Sequence, residues 1–251
     1  MKTRFLIITT ILGSILLNVS SCHKEPVVVK DGYRVTLTFK ASPVLSQSLT
    51  SRFRISLFTD GVQNSVTDIA SVKTINEGFS FNVVRGNEYE LCATYGWPYG
   101  SEWYKNGSLT LPSGEMMPQA YGCYINKPFP TDIEAATPVG LTFEKLYYEF
   151  PVMVTGNSDS QYVFTFECNV DGFSWPELEP LAGQYHCEVK IFGTGHAIMR
   201  IPIIEDSSIM DITLCEYDKD GNLINGPIRT MTTGEDVSGR TGKQYSVSYS
   251  I

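Results

Sequence analysis

Residue types able to do chemistry are sparse in this chain of 251 residues, and their spacing suits few mechanisms. The three histidines stand apart: His23 near the start, His186 in an alternating run with Glu188 and Lys190, and His196 directly after Gly193-Thr194-Gly195. No H-E-x-x-H, G-x-S-x-G or phosphate-loop pattern accompanies them, so neither zinc nor serine hydrolysis has a visible apparatus. Glu177 and Glu179 could flank a glycosidic bond as a carboxylate pair, which requires a separation of about 5–9 Å. Two bracketing prolines, Pro176 and Pro180, explain the same stretch as a loop. Asp218-Lys219-Asp220-Gly221 opens like a calcium loop but lacks the later ligands, and it reads as a hairpin turn. The expectation is a non-enzymatic chain with no metal and no cofactor.

Recognition has a better candidate. Trp97, Tyr99, Trp103 and Tyr104 crowd a short loop-rich passage, and exposed rings of this kind stack on sugar faces or anchor a protein partner. The competing reading folds the same rings over the end of their own domain.

The remaining reactive group is a thiol at the end of an apolar leader. Met1-Lys2-Thr3-Arg4 is positively charged, and Phe5 to Leu17 is an uncharged run of apolar and small residues. That is the layout of a secretory signal, shorter than the roughly 20 apolar residues of a membrane-spanning helix. Val19-Ser20-Ser21-Cys22 then resembles the lipobox of bacterial lipoproteins, with an aliphatic residue, two small residues and a cysteine that accepts diacylglycerol before cleavage. Residues 1–21 are therefore expected to be a signal peptide and Cys22 the lipidated mature N-terminus. Each buried methylene contributes about 0.8 kcal/mol, so two or three acyl chains hold a protein on its membrane. Residues 22–31 form a tether with no helical periodicity.

Charge narrows the partners further. Removing Lys2 and Arg4 with the leader leaves 17 basic against 27 acidic residues, a mature net charge of −10. Nucleic-acid affinity depends on Lys and Arg displacing counterions, so nucleic acid is excluded as a partner. Besides Cys22 there are five cysteines, Cys92, Cys123, Cys168, Cys187 and Cys215, an odd number with no C-x-x-C spacing. Cys168 and Cys187 fall in line with apolar neighbours and read as small core residues, whereas Cys92 and Cys215 fall in line with polar ones. A Cys168–Cys187 bridge is one pairing the sequence leaves open.

The elements that must position these groups are strands. Tyr33, Val35, Leu37 and Phe39 alternate with Arg34, Thr36, Thr38 and Lys40, the period of a half-buried strand. The pattern returns at Phe53, Ile55 and Leu57, at Phe79, Phe81 and Val83, and at Tyr89, Leu91, Ala93 and Tyr95. Residues 95–138 are broken by Gly and Pro. Alternation resumes through Leu146, Tyr148, Phe150, Val152 and Val154, then at 162–170, 185–192, 197–204, 209–218 and 245–251. No helical stripe is sustained and no sequence repeat is visible between the halves. The chain reads as all-β, with two tandem β-sandwich domains at 32–138 and 139–251.

The lipobox, the tether, the strand Tyr33-Arg34-Val35-Thr36-Leu37-Thr38-Phe39, the strand-to-aromatic-loop passage Tyr89 to Trp97 and the second opening Leu141-Thr142-Phe143-Glu144-Lys145-Leu146 together resemble the Bacteroidales-type fimbrillin superfamily. The likeness is to its lipid-bearing anchor and accessory subunits. The resemblance implies transthyretin-like, Greek-key sandwiches, an outer-membrane and cell-surface location, and a role in fimbriae and cell adhesion. It also implies partnership with fimbrial subunits by strand exchange or addition, for which the terminal strands 33–39 and 245–251 are the candidates. A surface glycan-binding lipoprotein that uses the Trp97–Tyr104 loop is the alternative.

Overall fold

The computed structural model describes residues 34–47, 52–98, 100–105, 107–126, 138–203, 210–233 and 247–250. Signal, tether and Cys22 lie outside the described residues, as does Tyr99. The rest is built almost entirely of strands, with one six-residue helix, α1 (Val72–Glu77), which buries Val72 and Ile75.

The first sandwich opens with β1 (Arg34–Ala41), β2 (Phe53–Thr59) and β3 (Val62–Ile69), and continues after α1 with β4 (Phe79–Val84) and β5 (Glu90–Tyr95). It is completed by β8 (Tyr121–Ile125), β9 (Val139–Leu141) and β10 (Glu144–Lys145). Sheet β4-β1-β9 faces sheet β10-β8-β5-β2-β3. Leu37, Phe39, Phe53, Ile55, Leu57, Leu91 and Ala93 fill the space between them. The alternating residues of β1, β2, β4 and β5 thus enter one core as the sequence leads one to expect. Asp60 and Gly61, both at positive φ, make the β2–β3 turn, as two-residue hairpins require.

The second sandwich contains β11 (Tyr147–Thr155), β12 (Gln161–Phe173), β13 (Pro180–Phe192), β14 (Gly195–Pro202), β15 (Met210–Tyr217), β16 (Leu223–Thr233) and β17 (Val247–Ser250). Sheet β14-β11-β17 packs on a sheet in which β12 lies between β13 and β15, with β16 beyond β15. Tyr162, Phe164, Phe166, Phe173, Phe150, Val152 and Ile201 form its core.

Strand pairing reveals a repeat that the amino acids do not. In each half the first strand is central in a three-stranded sheet, and the last runs parallel to it: β9 along β1 through Phe39–Val139, β17 along β11 through Val152–Val247. The order β4-β1-β9 with β8-β5-β2-β3 matches β14-β11-β17 with β16-β15-β12-β13 strand for strand. A period-two code specifies only inside and outside. Many residue sets satisfy the same pairing, and so the repeat leaves no sequence trace.

Strand pairing crosses residue 138, because the halves lend strands to each other. The short strands β6 (Tyr104–Lys105) and β7 (Ser108–Thr110) precede that boundary but join the second sandwich, with β7 pairing Thr110 to Gly172 and Leu109 to Phe173. Conversely, β9 and β10 follow it but pair with β1 and β8 of the first. A composition shift marks where loops gather, whereas pairing is fixed by distant strands.

Both sandwiches tie the crossing from small to large sheet with a tyrosine. Tyr89 accepts a hydrogen bond from Val84 N (2.8 Å) and donates to Val84 O (3.4 Å). Tyr162 accepts from Asn157 N (2.9 Å) and donates to the buried Glu216 carboxylate (3.2 Å). A bond to a charged acceptor contributes more than a neutral one, and a buried group left unpaired costs its desolvation. Tyr162→Phe is therefore expected to lower stability by about 2 kcal/mol and Tyr89→Phe by about 1 kcal/mol, measured by urea unfolding. Equal losses would show that Glu216 contributes nothing.

Candidate functional site

The described rings of the aromatic loop, Trp97, Trp103 and Tyr104, are turned inward. Trp97 is only 3% exposed, its ring meeting Trp103 and Phe173 edge-to-face with centroids 6.0 Å away in each case. Its indole Nε1 donates to Trp103 O at 2.8 Å, so the ring is buried with its one donor satisfied. Trp103 and Tyr104 are half-buried against the second core. Gly96 makes this entry to the loop: at φ +78 it passes so close to Gln119 O that a Cβ would collide with that backbone oxygen. These rings pack on the core of the second sandwich because β6, which contains Tyr104, and β7 are pinned to the far end of β12.

The carboxylate pair has a structural explanation too. Ser174 N donates to Glu179 O (2.8 Å), Leu178 N to Ser174 O (3.1 Å) and Glu179 N to Ser174 Oγ (3.1 Å), closing the β12–β13 connection into a tight loop. Glu177 and Glu179 are exposed on it. What the loop delivers is apolar. Trp175 meets Phe58 (6.2 Å) and Tyr104 (6.0 Å) edge-to-face, and Leu178 reaches Gly122, where any Cβ would collide with it. Leu178 holds φ +62, a conformation that costs a non-glycine residue about 1 kcal/mol or more.

This loop and Tyr104 cover the outer face of the five-stranded sheet, which an isolated sandwich would turn to water. Ser56, Phe58, Cys92 and Thr94 are buried there, and Arg54 lies 5.8 Å over the Tyr104 ring while pairing with Asp68 at 3.3 Å. Cys92 is thus buried, where alternation with polar residues predicts exposure, because the face is dry. A second contact runs through Tyr95, Tyr121 and Tyr147. The first two stack at 4.5 Å, and the hydroxyls of the last two lie 3.1 Å apart.

All five cysteines of the described body are free thiols, so the Cys168–Cys187 pairing left open by sequence is not formed. Burial, first among the causes, pushes the Cys123 and Cys187 thiols up to about 11 and Cys168 up to about 12. Cys92 is raised well above its ordinary value, by burial and then by Cys123 and Glu177.

Asp218 accepts from Asp220 N (2.8 Å), Asn222 N (2.8 Å) and Asn222 Nδ2 (2.9 Å), which makes the hairpin turn that the sequence suggests. Its carboxyl is held below the usual range by those bonds, the Asn222 side chain foremost. No group of three or more His, Cys, Asp or Glu side chains is arranged to hold a metal among the described residues. One contact escapes sequence reasoning: Ser113 Oγ lies 2.6 Å from His186 Nδ1. Gly114 N donates to His186 O (2.9 Å) and Tyr185 OH to Glu115 O (2.6 Å), so the pair belongs to a set of bonds that latch the 112–117 loop to β13. No ion pair to a carboxylate within 4.0 Å involves the imidazole among the described residues.

The terminal strands differ in accessibility. β1 is central, between β4 and β9, with Leu37, Phe39 and Ala41 buried. Among the described residues β17 lies at a sheet edge, paired with β11 over Val152–Thr155.

No protein-family model matches this chain, and no curated protein does. Solved structures do. A candidate adhesin of Bacteroides ovatus superposes with a TM-score of 0.54 at 12% identity, covering 89% of both chains. A candidate adhesin of Bacteroides thetaiotaomicron gives 0.51 at 10% identity, over 80% of this chain and 79% of that one. A candidate polysaccharide-binding protein of the same organism gives 0.50 at 9%, over 86% and 89%. At such identities the likeness is one of fold, and it spans both sandwiches.

Two outcomes follow from the dry face. Trp175→Ala is expected to lower stability by about 2 kcal/mol, and Gly122→Ala to destabilise by displacing Leu178, both read from urea midpoints. For the thiols, a folded pKa above the unfolded value of about 9 gives stability that is complete below pH 9 and lost as pH rises towards 11–12. The melting temperature should therefore fall steeply above pH 9. In native protein at pH 8, iodoacetamide should modify Cys215 before the other four, as read by mass spectrometry.

Proposed function

We propose that this chain is a non-enzymatic, lipid-anchored surface protein of the outer membrane that serves as an anchor or accessory subunit of fimbriae in cell adhesion. The observation that carries the reading is the edge position of β17. A short strand at a sheet edge, as β17 is among the described strands, is one that a neighbouring subunit's strand can replace or extend by main-chain hydrogen bonds. Of the two terminal candidates, β17 is favoured over β1, because withdrawing β1 would open the centre of a sheet and expose three buried side chains.

Other features support the same reading. Val19-Ser20-Ser21-Cys22 provides the attachment chemistry, and the fold shared with candidate adhesins fits a rigid surface module. Burial of the outer face of the five-stranded sheet would let the two sandwiches carry load as one body. In a fimbriated strain that carries the gene, deletion is expected to release, lengthen or prevent fimbriae as seen by electron microscopy, and Cys22→Ala to abolish incorporation of an alkyne-tagged fatty acid. Unchanged fimbriae on deletion would overturn the assembly role, and unchanged labelling of the Ala variant would overturn the anchor.

A further inference from the structure

At one end of the second sandwich the β11–β12 turn, the last residue of β13 and the β15–β16 turn border a cleft of about 480 Å³. Its lining includes Ser158, Asp159, Gln161, Phe192, Lys219 and Asp220. Phe192 is 74% exposed, more than any other large apolar side chain of the described body. The register explains its setting. Gln161 is paired with Phe192 on one side and with Tyr217 on the other, so ring, amide and ring stand in one row across β13, β12 and β15. Two strand spacings put the backbones that carry the rings roughly 10 Å apart.

The polar groups around this row divide into fixed and available ones. Asp218 spends its carboxylate on the turn, which holds Lys219 and Asp220 at the rim. Asp159 accepts from its neighbour Ser158 at 3.4 Å and is otherwise exposed. Two available carboxylates against one ammonium make a poor seat for phosphate, sulfate or sialic acid. A metal is disfavoured by the commitment of Asp218 to its turn.

A neutral sugar fits this set of groups. Its C–H face packs on an aromatic ring, and its hydroxyls both donate and accept, matching planar carboxylate and amide groups and an ammonium donor. We propose that this cleft binds a neutral saccharide, stacked on Phe192 and hydrogen-bonded by Gln161, Asp159, Lys219 and Asp220. The site is distinct from Trp97, Trp103 and Tyr104, and it is independent of the fimbrial reading, since a surface lipoprotein outside any fimbria could use it equally.

The test uses the full chain carrying Cys22→Ser on an array of mannans, xylans, glucans, galactans and neutral mucin-type O-glycans, with sialylated and sulfated glycans alongside. Binding to at least one neutral class is expected, followed by calorimetry with that glycan. Phe192→Ala and Gln161→Ala should each weaken the affinity tenfold or more and Asp159→Asn several-fold, while Ile198→Ala, an exposed change on the opposite sheet, should leave it unaltered. Because Phe192 is exposed, the variants should melt with the parent, which separates lost binding from lost folding. No neutral-glycan signal, binding confined to sialylated or sulfated glycans, or affinity indifferent to both Phe192→Ala and Gln161→Ala would each overturn the proposal.

Discussion

Ser56, Phe58, Cys92 and Thr94 lie on the face of the five-stranded sheet that a lone sandwich would give to water, and all four are buried. That burial requires a cover, and the cover comes from the other sandwich: Trp175 against Phe58, Leu178 in the notch at Gly122, Tyr104 beneath the Arg54 guanidinium. The positive φ of Leu178 is tolerated because the side chain fills a space that no residue larger than glycine leaves open. Aromatic area gives the seam its free energy, since each ring buries on the order of 150–250 Å². The strands lent in both directions fix its register.

This constraint accounts for the fate of the sequence's most chemical-looking stretches. Residues 97–104 and 175–179 carry the aromatic cluster and the carboxylate pair. Trp97, Trp103, Tyr104, Trp175 and Leu178 of these stretches pack between or onto the sandwiches, while Glu177 and Glu179 stand in solvent. The same dryness keeps Cys92 a thiol, and the two cores do so for Cys123, Cys168 and Cys187. A body with four inert thiols and no disulfide relies on packing and interlocked strands for its stability.

What is left free after the seam is made is informative for function. One edge carries β17, and one end carries the Phe192 cleft. The two are chemically different, main-chain groups on the one hand and a ring with planar polar groups on the other.

The strands were largely legible in the sequence because alternation is a local property: β1, β2, β4, β5 and β12 to β15 follow from side chains two residues apart. The turns at Asp60-Gly61 and Asp218-Gly221 follow from residue types suited to them. Missed were β3, whose Val62-Gln63-Asn64-Ser65 opening is mostly polar because the strand is an exposed edge, and β8, whose glycine and cysteine disguise a central strand. The fate of Cys92 was equally out of reach, since period two cannot say whether a sheet's second face meets water or another sheet. Sequence alone therefore determined the acidic charge and the all-β class, and it raised the expectation of an export signal and of lipid on Cys22. Tertiary structure decided the shared topology, the crossed strands and which aromatics remain exposed, because each depends on contacts between residues far apart along the chain.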